Sequence, residues 1–407
     1  MPVMTDVVSP EIDAEARRNA ILLAVASAVG GSAGPVMLGI GGLTGAYLLG
    51  PDKSLATLPV SLFILGSAIG AIPAALLMGR IGRRAGFIIG AICGALCGVL
   101  SGFSILAGTF LGFSLSLVVG GLAASFLSQY RFAAADSGSP ALRAKVISWV
   151  LGGGILSAVI GPQTIIFTRD LFSPIPFAGA FFATAALSLL GMLFLFPLRG
   201  PARDAPKVIH RTGGRPLIEI VRQPRFIVAV VCGVSSFALM AMVMTAAPLA
   251  MVACGLGEDN AALGIQWHVL AMFGPSFFTG ALIARFGKEA IIAAGLLLLG
   301  GAAIVALLGI DLAHFWIALV LLGLGWNFGF IGATAMLTET YRPEEQSRVQ
   351  GLNDFILFGF VALASFSSGG LFSTVGWGPI NLIVFPVVAA CAVALAITWR
   401  GRRGQPA

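Results

Sequence analysis

The sequence predicts an all-α membrane protein with twelve transmembrane helices arranged as two pseudo-symmetric six-helix halves. Three observations carry that expectation. Only 10% of the 407 residues are charged and 58% are hydrophobic, whereas a soluble domain carries about 25% charged residues. Twelve apolar runs can be marked along the chain, each close to the roughly 20 residues that cross a bilayer as a helix. Features of the first half recur in the second at a single offset of 205 residues. This composition excludes a disordered chain, a coiled coil, a disulfide scaffold and an ordinary cytosolic enzyme.

The runs fall at 20–42, 56–78, 86–107, 109–130, 146–167, 175–197, 226–250, 262–284, 289–309, 313–337, 349–372 and 379–399. They are rich in Leu, Ala, Val, Phe and Gly and lack the alternation of a membrane β-strand. The first run has no small-residue cleavage site behind a short apolar core, so it reads as a retained helix. The third and fourth runs are nearly continuous, as are the ninth and tenth. Between the sixth and seventh lies the longest polar stretch, with Pro201, Pro206, Gly213, Gly214 and Pro216. It reads as a linker whose end, around 216–225, lies on the membrane surface as a short amphipathic segment. The division is therefore a first bundle at 1–197, a linker at 198–225 and a second bundle at 226–407. Cys93 and Cys97 share a face of the third run, where small packing residues are a better reading than a metal or redox pair, and the five cysteines give no disulfide framework.

The net charge of +7 is distributed by side. With an even number of spans and a cytoplasmic N-terminus, all but Lys53 and Arg169 of the 24 basic residues fall on the inner side. These include Arg17 and Arg18, the turn with Arg80, Arg83 and Arg84, and Arg131, Arg143 and Lys145. The linker group follows (Arg199, Arg203, Lys207, Arg211, Arg215, Arg222, Arg225), then Arg285 and Lys288, Arg342 and Arg348, and Arg400, Arg402 and Arg403. The positive-inside rule therefore puts both termini in the cytoplasm. Short loops suit a bacterial inner membrane.

The repeat is specific. Arg80, Gly82 and Arg83 in GRIGRR match Arg285, Gly287 and Lys288 in ARFGKE, Arg143 matches Arg348, and Gly120 and Gly154 match Gly325 and Gly359. Gly82 and Gly287 allow a tight turn between antiparallel helices, and the flanking cations anchor it at the anionic inner surface.

These features resemble the major facilitator superfamily, whose motif after the second helix is G-x-x-x-D-R-x-G-R-[RK]. Residues 75–84 match its last four elements, with Ala75 for the first Gly and Gly79 for the Asp. The second copy, 280–289, again has an apolar residue, Ala284, at the acidic position. The resemblance covers essentially the whole chain and implies a secondary transporter working by rocker-switch alternating access. It also implies that Arg83 or Arg80 pairs with Asp354, at the start of the eleventh span, to hold the inner gate shut. A proton-carrying Asp354 and a purely structural pair are the alternatives. Asp354 lies about 9 Å inside its span at 1.5 Å per residue, and an acid at that depth normally has a partner. The resemblance implies that the family Asp caps the N-terminal end of the eleventh helix; its absence at Gly79 predicts a gate that opens more easily, or a replacement from elsewhere. The Arg of family antiporters in the fourth span is replaced by Ser116, and Gly161 and Pro162 keep only a fragment of the antiporter motif in the fifth.

The substrate cavity is expected between the halves near mid-bilayer. Its candidate lining is Trp326, Asn327, His268, Gln266, Gln129, Ser125 and Asn353, with Ser32, Ser236 and Thr245. Aromatics around Trp326 suit a planar or apolar solute oriented by Asn327; the bland reading is that the rings face lipid and the glycines allow helix packing. His268 reads either as a proton carrier or as a hydrogen-bonded structural group. Gly34 and Pro35, with 152–154, are expected to allow bending. No midplane Lys, Arg, Asp or Glu is present, which disfavours a strongly anionic substrate. The segments YRFAAAD at 130–136 and GWNFGFIGATAML are similar to a proteobacterial subgroup in which riboflavin uptake proteins occur.

The expected partners are a small neutral or weakly charged organic solute, protons as a candidate coupling ion, and the lipid bilayer, for a monomer that binds no nucleic acid. No cofactor, metal or catalytic set is implied, and the absence of an HExxH or Ser-His-Asp pattern speaks against an enzyme. The competing functions are drug or metabolite efflux by proton antiport, and a non-transporting assembly factor or sensor on the same fold.

Overall fold

The computed structural model describes residues 10–130, 133–134, 140–198, 214–342 and 344–403. Among them the chain is helical throughout. The first half holds α1 (Pro10–Gly30), α2 (Ala33–Leu49), α3 (Leu58–Ile81), α4 (Arg83–Leu106), α5 (Phe110–Leu127), α6 (Pro140–Thr168) and α7 (Ala178–Leu193). A short α8 (Leu217–Val221) precedes the second half. That half holds α9 (Pro224–Ala253), α10 (Glu258–Phe273), α11 (Ser276–Phe286), α12 (Lys288–Leu308), α13 (Leu312–Leu337), α14 (Gln346–Val375), α15 (Trp377–Leu382) and α16 (Val384–Arg403). Arg131, Arg199, Arg203, Lys207, Arg211, Pro201, Pro206 and Gly213 lie outside the described residues, as do the side chains of Arg143, Lys145, Arg400, Arg402 and Arg403.

Nine helices among the described residues are long and apolar enough to cross a membrane, or ten if α10 and α11 form one bent span. Two shorter apolar helical stretches, Gly152–Thr168 and Ala178–Leu193, accompany them. Large side chains such as Ile69, Ile72, Leu76, Phe167, Leu297, Leu308 and Ile397 point outward. So much exposed apolar surface requires lipid as the surrounding solvent.

The sequence repeat is present in the backbone. A shift of 205 residues carries the first residue of α4, Arg83, onto that of α12, Lys288, and carries the starts of α6 and α7 to within one residue of those of α14 and α16. The turns ahead of α4 and α12 match closely: Gly82 has φ 87° and ψ 155°, Gly287 φ 86° and ψ 159°. A side chain at either position would be strained.

Several spans differ from their sequence-based bounds. The first is longer than 20–42 and breaks at Gly31 and Ser32, just ahead of the expected bend at Gly34 and Pro35. The sixth shortens to Ala178–Leu193, and the eleventh starts three residues earlier, at Gln346. The eighth is broken by 42° between α10 and α11, where Gly274 and Pro275 interrupt the backbone ladder.

That break is held by Asn327 of α13. Its Nδ2 donates to the Met272 carbonyl at 2.6 Å and to Ser276 Oγ at 2.8 Å, while its Oδ1 accepts from Thr279 Oγ1 at 2.6 Å. Carbonyls freed at a helix break in lipid have no water to bond, so a buried amide takes that place. Asn327→Ala is expected to destabilise the protein by about 1–3 kcal/mol, the cost of orphaning buried polar groups. The check is a lowered melting temperature of the purified protein, with Asn327→Gln losing less.

Candidate functional site

The halves meet through named contacts at the end of the bundle opposite the basic turns. Thr57, just ahead of α3, donates from Oγ1 to the Phe366 carbonyl and accepts the Gly369 N–H, both at 3.2 Å. Ser61 Oγ lies 3.2 Å from Ser365 Oγ, which is 3.3 Å from Thr245 Oγ1. Gln163 Nε2 donates to Gln266 Oε1 at 3.2 Å. Small hydroxyl residues let α3 and α14 approach closely while satisfying one another's polar groups. At the rim, Arg169 at the end of α6 reaches across to Asp259 at 2.8 Å and Glu258 at 3.5 Å in the first turn of α10, and also pairs with Asp170 at 3.0 Å. The Arg169 side chain is 17% exposed and its acid partners are exposed, so the cluster is a rim ion pair open to solvent screening.

The basic end is built differently in the two halves. In the second, Arg225 pairs with Glu289 at 2.9 Å and with Glu339, and Lys288 pairs with Glu339 as well. The second basic motif is thus tied into its own half. Arg215 clamps Glu345 at 2.8 Å and donates to the Thr340 carbonyl, which also accepts from Gln223. The Arg215 guanidinium, aided by the Arg342 and Arg215 backbone N–H groups, holds the Glu345 carboxyl well below the usual carboxylate range. Burial raises the Glu339 pKa, but Lys288 and Arg225 together outweigh it and leave the group below its ordinary value. Arg285 is exposed, its guanidinium 5.1 Å from the Phe286 ring centre.

In the first half, Arg80 and Arg84 are exposed and Arg83 is half-buried beside Gly82. Asp354 is an exposed residue of α14 whose carboxylate accepts from Asn353 Nδ2 at 3.1 Å. Ser128 after α5, and Thr334 and Thr338 on α13, are exposed at this same end.

The sequence-predicted cavity residues separate into groups. Trp326 stacks on Phe330 at 5.2 Å and 17° and is met edge-on by Phe237 and Phe273, while Phe237 also meets Phe358. Its Nε1–H is buried with no hydrogen-bond partner among the described residues. Gln266 sits in the seam. Asn327 is fully buried and its amide is spent on the helix break, so the structure gives it a bracing task. His268 is buried, with Nδ1 2.8 Å from the Leu319 carbonyl. Ser125 bonds its own helix at the Leu122 carbonyl and packs where α5 passes Gly70 of α3. Ser32 bonds the Val29 carbonyl at the break in the first span, Thr245 belongs to the seam, and Ser236 packs against Gly329. Gln129 is half-buried past the end of α5, and Asn353 lies beside Asp354 at the basic end. Among the described residues no three or more His, Cys, Asp or Glu side chains gather as a metal site would. Sequence reasoning did not single out Arg169 with Asp259, Thr57 with Phe366, or the acids Glu289, Glu339 and Glu345. The signal available for the first was its position: Arg169 is one of two cations on the otherwise cation-free side.

The Major Facilitator Superfamily family model matches residues 19–355 and 267–407. The chain belongs to the major facilitator superfamily. It is 53% identical over 383 residues to the riboflavin transporter RfnT of Brucella anthropi, covering 94% of this chain and 96% of that protein. It is 31% identical to the uncharacterized MFS-type transporter YddS of Bacillus subtilis, with 89% and 86% covered. Among solved structures, the nucleoside transporter NupG superposes with a TM-score of 0.71 at 13% identity, over 95% of this chain and 99% of that one. The POT family transporter PepTSo gives 0.72 at 10% identity, over 96% and 99%. The two superpositions show a shared fold. The family and its relatives identify a multi-pass membrane transporter rather than an enzyme.

The Arg215–Glu345 clamp carries a pH signature. A carboxyl held below its unfolded value contributes stability above the ordinary Glu range of about 4.3, and that contribution fades as pH falls through the folded value. Glu345→Gln should therefore melt below the parent protein at neutral pH, and the gap should narrow steadily under acid. A gap that is constant with pH would contradict the clamp.

Proposed function

We propose that the protein carries riboflavin or a closely similar planar, uncharged solute across a bacterial plasma membrane by rocking its halves about the central seam. The carrying observation is the 53% identity to a riboflavin transporter over nearly the full length of both chains. A midplane free of Lys, Arg, Asp and Glu suits an uncharged solute, and the ring cluster around Trp326 suits a flat one. The chain crosses the membrane twelve times: the broken α10 and α11 count as one span, and the short stretches ending α6 and forming α7 complete the first half. The basic end is cytoplasmic by the positive-inside rule. The named cross-half contacts at the other end, with Thr334, Thr338 and Ser128 exposed at the basic end, support reading this structure as the inward-facing state. In the outward-facing state Arg83 latches to Asp354 across the inner gate.

The direct test is uptake of radiolabelled riboflavin into proteoliposomes holding the purified protein. Saturable uptake that unlabelled riboflavin competes and a nucleoside or dipeptide does not is the expected result; no uptake above empty vesicles sinks the proposal. Arg169→Gln removes the cation of the outer cluster and is expected to favour the outward-facing state. A cysteine placed at Ser61 should then react with an external impermeant thiol reagent several-fold faster than in the parent background. Asp354→Asn is expected to keep riboflavin affinity and slow transport several-fold; unchanged transport would remove the latch.

A further inference from the structure

The 205-residue repeat permits a position-by-position comparison of the two halves. In the second half five rings touch in sequence: Phe237 of α9, Phe273 of α10, Trp326 and Phe330 of α13, and Phe358 of α14. Their counterparts 205 residues earlier are Ser32, Ala68, Gly121, Ser125 and Gly153. Every ring is answered by a residue with at most a hydroxymethyl side chain. The first half closes on itself there: a Cβ at Gly121 would sit 2.1 Å from the Phe63 carbonyl and one at Gly153 2.1 Å from that of Ala24. The duplicated bundles have thus diverged at these five positions, ring-bearing in the second half and small in the first.

Two further observations give the aromatic wall a direction. Ile64 of the first half packs on the small cluster that also takes Phe237 and Phe330, and Leu38 and Ala158 of the first half join the core cluster that contains Trp326. The rings therefore lie at the seam. Four of them are half-buried, with ring surface still open, and the fifth, Trp326, is 6% exposed with an indole N–H that has no partner among the described residues. A phenylalanine there would leave no buried donor unbonded.

We propose that the solute's planar ring system is bound by the second half alone, stacked on the Phe237, Phe330 and Phe358 side of this wall, with Trp326 Nε1–H donating to an acceptor atom on the ring edge. The inference rests on the riboflavin-type reading and names the site within it. A fused heteroaromatic ring with carbonyl or imine acceptors along one edge fits both features, since offset stacking favours flat rings and the orphan donor selects for an acceptor. One-sided binding has a mechanical consequence. The ring travels with the second half as the halves rock, so isomerisation need not unstack the ligand.

The test uses the purified full-length protein in nanodiscs, with riboflavin and with lumiflavin, which keeps the isoalloxazine ring and has a methyl group in place of the ribityl chain. Binding is read by quenching of ligand fluorescence. The parent protein is expected to bind both. Phe358→Leu, which keeps apolar bulk, and Trp326→Phe, which keeps packing, should each weaken both ligands by about tenfold, the scale of one lost stacking contact or hydrogen bond. Unchanged ligand-free melting temperatures identify variants that still fold. If the parent binds and both folded variants bind within twofold of it, the wall is wrong and the transport reading stands. If the parent neither binds riboflavin nor transports it, the transport reading falls and the wall's ligand falls with it.

Discussion

Lipid offers no hydrogen bonds, and that constraint governs each part of this molecule. Backbone groups are satisfied within helices, so each interruption must supply its own replacements. The break in the eighth span survives because Asn327 bonds the freed Met272 carbonyl and the Ser276 and Thr279 hydroxyls at once. The seam obeys the same rule with weaker groups. Thr57 donates to the Phe366 carbonyl, and Ser61, Ser365 and Thr245 share hydroxyl bonds, which link α3, α14 and α9 in lipid without burying a charge. Charged pairs stand at the ends of the bundle, with Arg169 and Asp259 on one face and Arg225 and Glu289 on the other. A seam of neutral bonds with an ionic clasp at its rim suits the proposed alternation between two states.

The halves share a backbone and have diverged in side chains. The paired glycine turns keep almost identical dihedral angles, yet the second basic motif is bound into an intra-half network through Glu339 and Glu289, positions where the first half has Ala134 and Arg84. The first motif has no such acids at the corresponding positions and remains the better candidate for contact with Asp354 across the halves. The ring wall around Trp326 is a second divergence of the same kind, at mid-depth. One half thus acts as a braced, ring-bearing unit against a tightly packed partner.

Much of the fold was legible because its signals are local. Apolar runs place the spans, and Gly82 and Gly287 mark their turns through a backbone conformation that a single residue reveals. The break at Gly274 and Pro275 was available in the same way but was hidden inside an apolar run long enough to pass as one helix. The site was less legible. Asn327 looks like a cavity residue from sequence because its polarity is visible and its facing is not; the partners that fix its facing are about 50 residues away. Glu339 and Arg225 lie on different segments and pair only once the bundle forms. The aromatic wall had a faint signal in Trp326 and Phe330, and its full extent required contacts from four helices together with the repeat offset.

The proposed motion, of the two halves about the seam as the solute is carried, changes the distance between a spin label at Lys53→Cys, on an exposed loop of the first half, and one at the native exposed Cys254 of the second. The other four cysteines are buried or half-buried. In nanodiscs the ligand-free protein should give a short distance for the closed outer face, with a longer population that grows in Arg169→Gln and shifts when riboflavin is added. A single distance, indifferent to both the substitution and the ligand, would contradict a rocking transporter.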